Sequence, residues 1–243
     1  MTKGKVASLI VGILLAVPAT TAFAQTEGFE SGTLGSFTGI GNASASMGFD
    51  DGTTVINPLA GSFMAQVSTQ SAVTDSSLET FLGLSSGKLD SLSPQDVFVG
   101  SAIKRTVTVN AGDQVVFSYN FQSYEYNPFF PPFANDFSFF SVAETNNADA
   151  FVMVTDLSAP SSGWIEKSYT FANAGTFTIG LGAVNTRDTL VASNLFVDNF
   201  QVVSGNGGVN PVPEPGEVTT ALFLGATLLG GIVIGRRRRQ NAA

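Results

Sequence analysis

Between Phe29 and Val203 apolar and polar residues alternate in short runs, and the runs are broken by Gly, Asn, Asp and Pro. A period of two turns one face of each run into a core and the other toward water, so the pattern predicts short strands. Many such strands in succession predict an all-β, antiparallel β-sandwich. Two segments carry the pattern best. "KRTVTVNAGDQVVFSYNF" sets Val107 and Val109, then Val115, Phe117 and Tyr119, on alternate positions around an Asn-Ala-Gly turn. "EKSYTFANAGTFTIGLGA" repeats the arrangement with Tyr169 and Phe171, then Phe177, Ile179 and Leu181. Each reads as a hairpin with one buried face. "TDSSLETFLGLSSGKLDSL" departs from period two: Asp75 or Ser76 is a candidate N-cap, and Leu78, Phe81 and Leu82 share one helical face. It predicts a short helix covering an open end of the sandwich.

The two ends of the chain follow other patterns. Lys3 and Lys5 precede an apolar run over residues 6–17, Pro18 breaks it, and Ala22-Phe23-Ala24 follows. The run is too short to span a bilayer, and small residues at Ala22 and Ala24 suit signal peptidase, so residues 1–24 read as a signal peptide cleaved after Ala24. The exported domain is then 25–203. Residues 204–217, rich in Gly, Asn and Pro, form a flexible linker. Residues 218–235 are apolar apart from three threonines, and as a helix at about 1.5 Å per residue they reach roughly 27 Å, enough to cross a hydrocarbon core. Arg236, Arg237, Arg238 and Arg239 open a basic tail, 236–243, that the positive-inside rule keeps in the cytoplasm, with the domain outside.

Composition narrows the chemistry. The 243 residues contain no Cys and no His, which removes disulfides, thiolate chemistry, the Ser-His-Asp and Cys-His arrangements and histidine zinc sites. Between residues 25 and 211, seventeen acids face five bases, a net charge of −12. So acidic a domain repels nucleic acid, whose affinity comes from Lys and Arg on phosphates, and suits divalent cations.

Val212, Pro213, Glu214 and Pro215 stand just ahead of the apolar stretch. Two prolines around one glutamate hold an extended segment without backbone donors, a rigid peptide for another protein's groove. With the helix and the arginines behind it, this VPEP segment resembles the tripartite PEP-CTERM sorting signal of bacterial exosortase substrates. The resemblance implies recognition of Pro213, Glu214 and Pro215 by an exosortase, a membrane protease-transpeptidase, and removal of the helix as the protein passes to the cell surface or extracellular matrix. "GFESGTLGSFTG" and "SNLFVDNFQVV" resemble the first and last strands of jelly-roll sandwiches of the carbohydrate-binding-module type. There the resemblance implies paired termini that often share a structural calcium. "GSAIKRTVTVNAGDQVVFSYNFQSYE" and "NDFSFFSVAE" resemble a domain recurrent in PEP-CTERM proteins and some calcium-associated exoproteins.

Carboxylates are the candidate site residues. Glu125 closes one strand and Asp136 opens the next, so a loop between antiparallel neighbours brings both to one end, beside Asn135 and within reach of Asp188. Glu30 and Asp198, on the first and last strands, form a second pair. Either set offers the hard oxygens that calcium takes, six to eight at about 2.3–2.6 Å. Tyr124, Tyr126, Phe129 and Phe130 lie in a proline-stiffened loop that either stacks on sugar rings or folds back as a lid over the core. Trp164 begins a strand and reads as core. These features give a non-enzymatic, calcium-stabilised polysaccharide-binding module, with a structural or adhesive matrix protein as the alternative. A carboxylate glycosidase built on Glu125 with Asp136 or Asp188 is the third reading.

Overall fold

The computed structural model describes residues 26–125, 136–144, 147–154, 159–186 and 189–205. The expected signal peptide, VPEP motif, apolar stretch and arginine cluster lie outside these residues. In chain order the strands are β1 (Thr26–Glu27), β2 (Thr38–Ile40), β3 (Asn42–Ser46), β4 (Phe49–Asp50), β5 (Val55–Ile56), β6 (Met64–Ser68), β7 (Val73–Thr74), β8 (Val97–Val109), β9 (Gln114–Gln122), β10 (Phe137–Glu144), β11 (Asn147–Val154), β12 (Ile165–Thr170), β13 (Gly175–Thr186) and β14 (Asn194–Val203). Helix α1 (Asp75–Leu82) and a 3-10 turn (Asp90–Leu92) separate β7 from β8.

Two antiparallel sheets form the sandwich. One runs β12-β9-β14-β6-β3 with β1 on β14, and the other β11-β10-β13-β8-β2 with β7 on β8. From β8 onward the chain changes sheet at every connection except β10–β11, which is how jelly rolls wind. The two expected hairpins are corrected by this winding. β8 and β9 lie in different sheets, as do β12 and β13, and the two segments pair with each other: β8 with β13, and β9 with β12. Val107, Val109, Val115, Phe117, Phe171, Phe177 and Ile179 meet in one core between the sheets. Alternation therefore marks inward residues on strands that face each other across the core, not neighbours within a sheet. At the Asn-Ala-Gly corner the Gly112 N–H donates to Phe171 O at 2.8 Å and the Phe171 N–H to Asp113 O at 2.9 Å, tying one corner to the other.

The helix forms where expected but sits elsewhere. Its N-cap is Thr74, whose hydroxyl accepts from the Ser77 N–H, and Gly83 ends it at φ 75°. Leu78 and Leu82 pack on Ala102, Phe139 and Val184, so α1 covers the outer face of the β8–β13 sheet rather than an open end. That outward row is apolar and needs cover from water. Gly100 and Gly180 lack the Cβ atoms that would meet Leu78 and Leu82. Glu79, buried, accepts from Gly87 N (2.9 Å) and Leu89 N (2.8 Å) and fixes the loop that follows.

Candidate functional site

The outer face of the other sheet is divided between apolar and amide side chains. Met64 and Phe196 carry a small cluster with Ile56, roofed by the β4–β5 hairpin, with Phe49 and Trp164 packed against it. Beside it the outward positions of β9, β14 and β6 are Asn120, Gln122, Asn194 and Gln66. Asn194 Nδ2 donates to Gln122 Oε1 at 2.8 Å, and Gln66 Nε2 donates to Asn194 Oδ1 at 3.3 Å. The Ser161 hydroxyl donates to Asn120 Oδ1 at 2.7 Å. Each amide is thus held in one orientation by its neighbour. Asn120, Gln122 and Asn194 are buried, so these bonds satisfy their donors and acceptors inside the fold.

A cleft of about 400 Å³ opens on this face. It is lined by the wall segment 54–59 together with Asn120, Ser161, Gly163 and Trp164. The half-buried indole donates from Nε1 to Asn57 O at 3.1 Å, which ties the ring to that segment. Val55 and Leu59 remain exposed at the rim. Among the described residues no Lys or Arg lines the cleft. Trp164, expected as core, is half in the small cluster and half in this wall.

Glu30 and Asp198 build that wall. β1 pairs with β14, as the termini were expected to, although Glu30 follows β1 in a loop and is not on the strand. Asp198 Oδ2 accepts from Leu59 N (2.9 Å) and Ala60 N (3.0 Å), and its Oδ1 from Asn199 N. Glu30 accepts from Ser62 N (2.8 Å) and Phe63 N (3.2 Å). All four carboxylate oxygens therefore hold main-chain N–H groups, four of them from one loop. Burial raises the Asp198 pKa, opposed by those N–H donors.

Tyr124 lies at the edge of the same face. Its hydroxyl donates to Asp51 Oδ2 at 2.7 Å and lies 3.0 Å from Thr54 Oγ1, clamping the turn between β4 and β5. Tyr126, Phe129, Phe130, Asn135 and Asp188 lie outside the described residues.

Glu125 and Asp136 meet at one end of the sandwich, as expected, though the connection between them crosses from one sheet to the other. Their carboxyls are hydrogen-bonded. Asp136 Oδ1 accepts from Thr186 N at 3.0 Å and Oδ2 from the Ser193 hydroxyl at 2.6 Å. Burial, then the charge of Glu125, pushes the Asp136 pKa up to about 8. A mutually hydrogen-bonded pair with Asp136 buried lacks the separation of a glycosidase's two acids, which stand at least about 5 Å apart.

No protein-family model matches the chain, and no curated protein matches it. Solved structures do. The chain is similar to TmCBM61 in complex with β-1,4-galactotriose, with a TM-score of 0.42 and 11% identity over 73% of this chain and 94% of that one. It is similar to the C-terminal family 22 carbohydrate-binding module of Clostridium thermocellum Xyn10B, with a TM-score of 0.40 and 13% identity over 82% and 100%. A third is the K1 cleaved adhesin domain of Lys-gingipain from Porphyromonas gingivalis W83, with a TM-score of 0.40 and 10% identity over 74% and 98%. At these scores the likeness carries no inference about ligand or site.

Proposed function

We propose that this is an exported surface or matrix protein whose β-sandwich binds a neutral polysaccharide in the cleft between residues 54–59 and Trp164. The observation that carries this reading is the half-buried indole, held by its bond to Asn57 O, lining an uncharged cleft. The ring offers an apolar plane to the CH face of a pyranose, while Thr54, Asn57 and Ser161, none of them buried, offer hydrogen-bonding groups to its hydroxyls. The lining is uncharged and the protein is acidic, so an anionic glycan is repelled and a neutral one is not.

Export and sorting rest on the sequence. The leader ending at Ala24 delivers the chain to signal peptidase, residues 218–235 hold it in the membrane, and an exosortase reads Pro213, Glu214 and Pro215 before the helix is removed. Replacing Pro213 and Pro215 with Ala is expected to leave the uncut chain in the membrane fraction of a cell that processes the wild type. Equal processing of both forms contradicts the sorting role.

Binding is tested by affinity electrophoresis of the full chain through gels containing xylan, galactan or polygalacturonate. Retardation by a neutral polymer and none by polygalacturonate is expected; no retardation by any neutral polymer removes the glycan-binding reading.

A further inference from the structure

Most of the residues that line the cleft belong to one segment, 54–59, which starts inside the β4–β5 hairpin. That hairpin is a two-stranded sheet of its own, and among the described residues it pairs with neither sheet of the sandwich. Two strands of two residues each are marginal in water, so side chains decide where the hairpin stands. Ile56 is buried beside Met64 and Phe196, and the Phe49 ring lies 5.3 Å from that of Phe196. Past the hairpin, Asp198 holds Leu59 and Ala60 by their N–H groups. The turn at residues 51–54 is held differently.

Asp51 shapes that turn with one carboxylate oxygen and ties it down with the other. Its Oδ1 accepts from Thr53 N at 2.9 Å and Thr54 N at 2.8 Å, and its Oδ2 accepts from the Tyr124 hydroxyl at 2.7 Å. The same hydroxyl stands 3.0 Å from Thr54 Oγ1, so it also reaches the first residue of the wall. A hydrogen bond to an ionised acceptor is roughly twice as strong as a neutral one. Tyr124 itself does not line the cleft. The other wall is held from the same stretch of chain: the Ser161 hydroxyl donates to Asn120 Oδ1 at 2.7 Å, the Gly163 N–H donates to Ser161 Oγ at 3.1 Å, and Trp164 follows. Residues 120–124 therefore reach both sides of the cleft. A wall already in place needs no ordering when a ligand arrives, whereas a loose one does, at a cost in affinity.

We propose that Tyr124 is a positioning residue for the cleft: through Asp51 and Thr54 its hydroxyl fixes where the 54–59 wall stands relative to Trp164, and so sets the affinity for a neutral polysaccharide that it does not itself touch. This role rests on the cleft being the glycan site. It differs from a stacking role for the same side chain, because stacking needs the ring and positioning needs the hydroxyl. Deleting one or the other separates them. Trp164 is the sole tryptophan of the chain and is bonded to the wall at Asn57 O, so its fluorescence reports on the wall whether or not a glycan is present.

The test compares Tyr124→Phe with the wild type as full chains in detergent, by acrylamide quenching of Trp164 and by affinity for the neutral polymer that retards the wild type. Quenching is expected to be stronger in the variant and the polymer to bind at least about threefold more weakly. The melting temperature is expected to fall by no more than about 2 °C. Asp51→Asn keeps the acceptor that shapes the turn and loses the one facing Tyr124; it is expected to match Tyr124→Phe, and the double variant to be no weaker than either single one. Wild-type quenching in Tyr124→Phe overturns the proposal, as does wild-type affinity in that variant when Trp164→Ala has lost it. Loss of affinity in Tyr124→Ala but not in Tyr124→Phe places the ring on the glycan and overturns it too. If the wild type binds no neutral polymer, the claim about affinity falls with the glycan reading, and the quenching comparison still decides whether Tyr124 holds the wall.

Discussion

Asp198 and Glu30, from opposite ends of the described domain, hold one loop between them: Asp198 takes the N–H groups of Leu59 and Ala60, and Glu30 those of Ser62 and Phe63. The loop continues into the cleft wall at Asn57 and Pro58. Asp198→Ala leaves three N–H donors without an acceptor and is expected to cost about 2–4 kcal/mol in denaturant unfolding. The same variant should also weaken glycan binding. Gly61→Ala should act in the same direction, because Gly61 has φ +63° and a Cβ there would run into the Glu30 carboxylate.

Burial raises Asp136 to about 8, and it raises Asp198 as well. Each folded-state value lies above the unfolded one, so each group stabilises the fold fully below the unfolded pKa near 3.8, and that contribution is lost as pH rises through the folded value. The protein should therefore lose stability steadily from about pH 4 to pH 8, and Asp136→Asn should flatten the slope. Melting temperature against pH checks this. A rise over that range contradicts it.

Arg105 is 3% exposed between the sheets, and Nη1 and Nη2 have no hydrogen-bond partner among the described residues. Phe37 and Phe200 lie under the guanidinium at 5.9 and 5.5 Å, and the charge of Glu27 partly offsets the desolvation that lowers its pKa. Arg105→Met keeps much of the volume without a buried charge. It is expected to leave stability unchanged or to raise it by up to about 4 kcal/mol, measured by denaturant unfolding. A clear loss contradicts this account of the core.

The sandwich is legible in the sequence because alternation marks which residues face the core. It does not mark which strand lies beside which. Val109 and Val115 alternate inward equally well in a hairpin or in an arch between sheets, and only the long-range pairing of β8 with β13 decides. Glu125 and Asp136 are legible as neighbours because a connection of any kind returns the chain to the same end. The cleft is not legible. Asn120, Gln122 and Asn194 look like the wet positions of ordinary strands, yet all three are buried and bonded within the fold, and the cleft beside them forms only because the β4–β5 hairpin and Trp164 settle on Met64 and Phe196. Trp164 looks like core because half of it is.

The most direct test of glycan binding is the affinity of Trp164→Ala, relative to wild type, for the neutral polysaccharide that retards the protein most. Removing the ring deletes the stacking plane but leaves the sheet intact. The account predicts at least a tenfold loss, about 1.4 kcal/mol, with the melting temperature lowered only slightly. Unchanged affinity in a folded variant would contradict the cleft as the binding site.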